Sequence, residues 1–262
     1  MTQPRAVLVT GSSRGIGAAI AKALAGPEVR LWLAARDAAR CEALVAELGA
    51  RGGEVRAVSL DVTDGDSIAA AAETIGELDG LVNNAGIAES APLPTRGGED
   101  LEEHYRFHME VNYHGARRVM EAFLPGMVRR GHGRIVNVAS SAALQGYAYV
   151  SAYCASKHAL LGYSRAAAEE LRSKGVGVDV VCPHYVESPM LEASIANLVG
   201  KTGMGADDAR DFFREQNPGG RIVLPEEVAE VVGRLLSESE TGRVIEMDGS
   251  PVPNWANGPK RT

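Results

Sequence analysis

Seven short apolar runs, separated by longer amphipathic or alanine-rich stretches, limit what this chain can fold into. They are "RAVLVT" (5–10), "VRLWLA" (29–34), "EVRAVSL" (54–60), "LDGLVNN" (78–84), "GRIVNVAS" (133–140), "VGVDVVC" (176–182) and "RVIEM" (243–247). Val, Leu and Ile dominate them, and several are almost continuously apolar, as strands covered on both faces must be. Helical patterns fill the intervals at 15–26, 37–50, 65–77, 99–130 with a break near Asn112, 151–174 and 225–237. Strand–helix alternation of this kind builds a parallel sheet with helices on both faces. The expectation is therefore an α/β fold, a doubly wound seven-stranded parallel sheet in one domain spanning 1–262. The stretch 184–220 has no strand signal and reads as an inserted lid before the helix that starts near Pro225.

The 262 residues can bury a substantial core. Hydrophobic residues make up 45% and charged residues 23%, an ordinary soluble composition. The net charge of −7 argues against a nucleic-acid partner, which a basic face would have to meet. No run approaches the ~18 apolar residues of a membrane helix, and "AVLV" after Arg5 is too short for a secretory signal core. Cys41, Cys154 and Cys182 are widely spaced without a C-x-x-C pattern, so neither a disulfide framework nor a zinc site is expected. The setting expected is a reducing cytoplasm, with no metal and no membrane partner. His104 and His108 stand four apart in "HYRFH", which lacks the glutamate placement of H-E-x-x-H and reads as a solvated helix face.

Two segments carry chemistry. Directly after the first strand comes "TGSSRGIG" (10–17), with Gly11, Gly15 and Gly17 spaced G-x-x-x-G-x-G. Glycines there allow a sharp strand-to-helix turn and close approach of backbone to ligand, and the helix N-terminus that follows suits a pyrophosphate. A tight turn without a ligand is the alternative. In "SAYCASKHALLGYS" (151–164), Tyr153 and Lys157 share one helix face four residues apart. They are either a solvated pair or a phenol set beside an ammonium for proton exchange.

Five motifs in order resolve both. "TGSSRGIG" (10–17), "NNAG" (83–86), "VNYHG" (111–115), "NVASS" (137–141) and "YCASK" (153–157) together resemble the short-chain dehydrogenase/reductase family over roughly residues 5 to 250. The resemblance implies a Rossmann-type domain, usually assembled as a homo-tetramer, with a dimer as the minimum. It implies Tyr153 as proton donor and acceptor, Lys157 as its partner, Ser140 thirteen residues before the tyrosine, and Asn112 holding a relay water. A lysine ammonium favours the phenolate, which on this reading pulls the Tyr153 pKa below the ordinary ~10. For the cofactor, the resemblance points to Gly11, Ser12, Ser13, Arg14, Gly15, Ile16 and Gly17 in the loop. Asp61 and Val62 match the adenine side, and Asn84 the ribose-side wall. Val186 and Ser188 match the nicotinamide carboxamide segment, and Lys157 would reach the ribose hydroxyls.

The end of the second strand bears on cofactor choice. Where an NAD-type site holds a carboxylate, this chain has Ala35, followed by Arg36. Arg36 and Arg14 suit a 2′-phosphate, so NADP(H) is expected in preference to NAD(H). The other reading makes both arginines surface charges, with Asp37 neutralising Arg36. Pro183-His184 departs from the family's common Pro-Gly. His184 either shapes the substrate pocket or sits in an ordinary conformation. Leu191, Ile195, Leu198, Met204, Phe212 and Phe213 line a pocket or pack the lid itself. Leu144, Tyr147 and Tyr149 suggest a moderately apolar alcohol or ketone. The segment after Gly86, "IAESAPLPTRGGED", does not look like that of the family's acyl-carrier-protein reductases. The expected reaction is hydride transfer between a carbonyl and a secondary alcohol. The alternatives are epimerisation or dehydration through a transient ketone, and a nucleotide sensor without turnover.

Overall fold

A computed structural model of the chain describes residues 5–94 and 101–251. Its strands are β1 (Arg5–Thr10), β2 (Val29–Ala35), β3 (Glu54–Ser59), β4 (Gly80–Asn83), β5 (Gly133–Val138), β6 (Val176–Pro183) and β7 (Val244–Met247). They form one sheet in the order β3-β2-β1-β4-β5-β6-β7, and every pairing is parallel. The helices are α1 (Gly15–Leu24), α2 (Glu42–Gly49), α3 (Gly65–Ile75), α4 (Glu102–Met109), α5 (Ala116–Arg130), α6 (Ser151–Leu171), α7 (Pro189–Thr202), α8 (Ala206–Glu215) and α9 (Pro225–Ser237).

Successive strand residues point to opposite faces, and the sequence supplies apolar side chains for both. On β1, Val7 and Val9 enter one core with Ile20 of α1 and Val228, Val231 and Leu235 of α9. Ala6 and Leu8 enter the other with Ile68 of α3 and Met120, Phe123 and Met127 of α5. The strand order reverses between β1 and β4, and the crevice outside the carboxyl ends of the strands at such a reversal is where open α/β sheets bind ligands. Glycine loop, Ser140 and the 183–190 segment all follow strand carboxyl ends.

The expected elements differ in detail. The helix expected over 37–50 is a 3₁₀ turn, Ala38–Cys41, followed by α2, because the Asp37 carboxylate accepts from Ala39 N (3.0 Å) and tightens the first turn. The break near Asn112 is a π-helical turn, Glu110–Gly115, between α4 and α5; residues 99 and 100 of that expected helix lie outside the described residues. The fifth strand ends at Val138, two residues early, because Ser140 Oγ accepts from Ala142 N (3.1 Å) and opens a new turn. Residues 184–220 hold α7 and α8 and only an isolated bridge, Val186 to Val223.

The solvated face expected for His104 and His108 is corrected at His108, which is fully buried. Its Nε2 accepts from Glu89 N (3.1 Å) and its Nδ1 faces the His104 carbonyl oxygen (2.8 Å), so the ring fastens the segment after Gly86 to α4. Burial holds its pKa below the ordinary histidine value. At the far end of the sheet, Asp179 is wholly buried between two arginines. Arg134 Nη2 lies 2.7 Å and Arg243 Nη2 3.0 Å from Asp179 Oδ2, and Arg243 N donates to Oδ1 (2.9 Å).

Candidate active site

The glycine loop is held rigid from three sides. Gly11 has φ +64°, and a Cβ there would come within 2.9 Å of Ala85 Cα; one on Gly17 would collide with the Gly11 carbonyl. These two positions admit only glycine. Thr10, absent from the expected site, is the knot. Its Oγ1 accepts from Asn84 N (2.9 Å) and Ala85 N (3.1 Å). The Asn84 amide nitrogen in turn donates to the carbonyls of Thr10 (3.0 Å) and Gly11 (3.2 Å), so the side chain expected on the ribose side also clamps the loop. Ser12 is buried and donates to the Ala34 carbonyl (3.2 Å), while Ile16 packs on the core beneath.

The α1 N-terminus is open to an anion. Arg14 at its cap position makes no side-chain capping bond, and the first turn carries no acid. Free N–H groups at a dipole's positive end fit a pyrophosphate. Ser13 is half-buried and Arg14 exposed. Arg36, beyond the end of β2, is exposed and forms no ion pair with a described residue. Asp37, the candidate for neutralising it, accepts from Ala39 N through Oδ1 and forms no ion pair with Arg36. Ala35 puts no carboxylate at the strand end. These features fit a phosphate-bearing dinucleotide.

Asp61 is half-buried, its Oδ1 accepting from Thr63 N (2.9 Å) and Thr63 Oγ1 (2.7 Å), and Val62 is buried so close to the π turn that a Cβ on Gly115 would lie 2.8 Å from it. Val186 is buried in the bridge to Val223. Ser188 caps α7, accepting from Leu191 N (3.2 Å), with Pro189 at the first helical position. Position 15 ties this segment to the glycine loop: a Cβ on Gly15 would sit 3.4 Å from Pro189 Cδ and 3.7 Å from Ser188 Cβ.

Tyr153 and Lys157 lie on one face of α6, with Lys157 Nζ 5.8 Å from the Tyr153 ring centroid. Lys157 is buried and donates to the Val138 carbonyl (3.0 Å), and Ser140 lies near enough to Tyr153 to ease its pKa downward. Asn112 completes the group. Its Nδ2 donates to Ile87 O (3.0 Å) and Ser156 Oγ (3.0 Å), and its Oδ1 accepts from Ile87 N (2.9 Å). Ser156 donates onward to the Tyr153 carbonyl (2.8 Å). The approach is tight enough that a Cβ on Gly86 would stand 3.0 Å from Asn112 Oδ1 and 3.5 Å from Lys157 Nζ. The expected tetrad is therefore brought together, with Gly86 and Ser156 added as its supports and Thr10 as that of the glycine loop.

The expected pull of Lys157 on the Tyr153 pKa is not what the protein by itself shows. Burial pushes the phenol up to about 12, eased by the Ser140 side chain, and burial pushes the Lys157 ammonium down to about 8. Desolvation outweighs the mutual attraction because both groups leave water together. Tyr153 as a whole is only half-buried, so the crowding acts at its hydroxyl end.

Around the mouth, the lid residues divide. Leu191, Ile195 and Phe213 are buried in one cluster with Ala209, and Leu198 packs against it, whereas Met204 and Phe212 are exposed. Of the three entrance residues, Leu144 and Tyr147 are half-buried. Tyr149 is exposed at φ +67°, its carbonyl accepting from Ala91 N (2.8 Å). His184 has no left-handed backbone; it is buried, with Nε2 2.8 Å from Glu246 Oε1.

Comparison with known proteins follows the same line. The family model described as short chain dehydrogenase matches residues 5–198. A relative from Streptomyces virginiae, named as a ketoacyl reductase of the monensin polyketide synthase, is 36% identical over 250 residues, 91% of this chain and 93% of its own. The 3-oxoacyl-[acyl-carrier-protein] reductase of Escherichia coli is 33% identical over 249 residues, 92% and 95% of the two chains. The acyl-carrier-protein reductases, from which the segment after Gly86 was expected to set this chain apart, are thus among its relatives; residues 95–100 of that segment lie outside those described. Among solved structures, an actinorhodin polyketide ketoreductase with NADPH superposes with a TM-score of 0.86 at 32% identity, covering 94% of this chain and 96% of that one.

Proposed function

The chain belongs to the short-chain dehydrogenase family of NAD(P)-dependent oxidoreductases, and from that premise we propose that it reduces the carbonyl of a small molecule with NADPH, using Tyr153 as general acid. The observation that carries the reading is the buried Lys157, bonded to the Val138 carbonyl at the carboxyl end of β5 with Tyr153 on the same helix face, at the edge of the sheet from which the glycine loop also rises.

A bound nicotinamide cofactor supplies the hydride. The chain's own residues do the rest. The α1 N-terminus binds the pyrophosphate, and Arg14 and Arg36 take the 2′-phosphate that Ala35 does not repel. Ser188 and Val186 border the nicotinamide. Ser140 donates to the substrate oxygen and fixes it, so negative charge developing there meets a preset donor. Tyr153, neutral at physiological pH, gives that oxygen its proton, a protonation state suited to the reductive direction. Lys157 holds the ribose side and refills the proton through the Asn112 side of the site. Helices α7 and α8 serve as the lid, and the assembly is a homo-tetramer or at least a dimer, which light scattering at micromolar concentration tests.

The functional test is a panel of ketones with NADPH, read as loss of the reduced-nicotinamide absorbance and as alcohol formed. Stoichiometric oxidation supports the proposal. Product without net cofactor consumption favours an epimerase or dehydratase, and tight NADPH binding without any product favours a sensor.

A further inference from the structure

Beyond the tetrad, beside the entrance residue Tyr147, stands a phenol whose hydroxyl no described residue uses. Tyr185 follows His184 where the chain leaves β6, and its backbone is pinned. Its N–H donates to Asn217 Oδ1 (2.9 Å), and its carbonyl accepts from Asn217 Nδ2 (2.9 Å) and Val223 N (3.0 Å). Asn217 is itself buried. The ring lies between Phe213 of α8, centroids 4.9 Å apart, and Tyr147, 6.4 Å apart. A side chain fixed at both ends loses little conformational freedom when a ligand arrives.

The neighbouring polar groups are all committed. Tyr147 Oη donates to Ser141 Oγ (2.8 Å), accepts from Gln145 Nε2 (2.6 Å) and stands 3.5 Å from His184 Nδ1. His184 Nε2 is taken by Glu246. Ser140 Oγ accepts from Ala142 N (3.1 Å). The Tyr185 hydroxyl, by contrast, forms no hydrogen bond with a described residue. It is near enough to Tyr147 and Tyr153 for both to push its pKa up, with burial as the larger cause, to about 12. It therefore stays a donor throughout the physiological range.

We propose that Tyr185 is a specificity-determining residue whose hydroxyl donates to a second oxygen of the substrate. The preferred substrate is then a ketone carrying a further keto or hydroxyl group, in place of a monofunctional one. A site with a fixed polar group discriminates against an analogue that leaves it unpaired. An uncharged hydrogen bond in a half-open cleft corresponds to about a two- to tenfold preference.

The proposal rests on the reductase reading and is tested with matched probes. Acetylacetone and methyl propyl ketone share one carbon skeleton and differ by one keto oxygen in place of two hydrogens. The ratio of their kcat/KM values with NADPH is measured for the wild-type protein, Tyr185→Phe and Tyr147→Phe. In Tyr185→Phe, which keeps the ring and its packing, the ratio is expected to fall about two- to tenfold towards the plain ketone. In Tyr147→Phe, whose hydroxyl is spent on Ser141 and Gln145, both values shift by a common factor and the ratio holds. A wild-type ratio near one, or a ratio that Tyr185→Phe leaves unmoved, overturns the proposal while leaving the reductase reading standing. No NADPH oxidation by any ketone in the wild type overturns that reading and this one with it.

Discussion

Replacing Lys157 by Met removes a buried ammonium, and its effect on the cofactor-free protein separates two terms that a single measurement would mix. Burial lowers the Lys157 pKa from the ordinary 10.5 to about 8. At ~1.4 kcal/mol for each pH unit, that gap corresponds to a folded-state penalty of about 3 kcal/mol for keeping the charge. The penalty is present in full below pH ~8. Between ~8 and ~10.5 the folded protein has released the proton and the unfolded chain has not, so wild-type stability rises with pH in this window. The variant lacks that rise. It also leaves the Val138 carbonyl without its 3.0 Å donor, a cost of ~1–3 kcal/mol that does not depend on pH. At neutral pH the two terms oppose each other, and the absolute difference decides little. The slope decides. From pH ~7 to ~10 the wild type should gain about 2–3 kcal/mol relative to Lys157→Met. Urea unfolding across that range at fixed protein concentration reads it, and thermal midpoints should diverge by roughly 5–10 °C. Two stability curves that stay parallel would refute the assignment of a desolvated, still titratable Lys157.

Other outcomes follow from the same geometry. Tyr153→Phe should lower kcat by ~10²–10⁴-fold, the usual worth of a general acid, while NADPH titration gives nearly wild-type affinity; retention of more than about a tenth of the rate contradicts the proton-donor role. Arg36→Ala should weaken NADPH binding by about ten- to a hundredfold and leave NADH within a small factor, and Ala35→Asp should move the preference towards NADH; tighter NADH in the wild type would count against both. Asp179→Ala removes the buried partner of Arg134 and leaves Arg243 only its pair with Glu238, and should cost ~3–5 kcal/mol in denaturant titration, a loss under ~1 kcal/mol being incompatible with a buried ion network.

The sheet was legible because its strands carry apolar residues on both faces, a pattern few other structures need. Register and order were not, since pairing depends on which helix crosses where. The glycine loop and the Tyr153–Lys157 face were legible because their chemistry demands fixed spacings, three glycines at a turn and two side chains one helical turn apart. Thr10 was harder. A lone polar residue at the end of an apolar strand is its only signal, and its two accepted bonds come from Asn84 and Ala85, more than seventy positions away. His108 was misread for a related reason. Its helix looks polar in sequence, and only the return of the segment after Gly86 buries the ring. The low Tyr153 pKa expected from a neighbouring ammonium failed because sequence gives proximity but not dielectric. Four helical positions say that two groups are close, and only the packed structure says that water has left both.

His184 sits in the ordinary conformation that was one of its two expected readings. A glycine at a family position invites the inference that the backbone there must turn left-handed, so that a histidine would be strained. Tyr149 is the non-glycine residue with positive φ among those described, and His184 is not. The imidazole is buried and tied to Glu246 on β7 and to the edge of Tyr147. That anchoring stiffens the wall from behind, and a stiff wall is what lets a single unpaired hydroxyl on the next residue, Tyr185, act as a selective contact. On the proposal for Tyr185, substrate choice rests on a residue whose neighbour, His184, fixes the wall behind it.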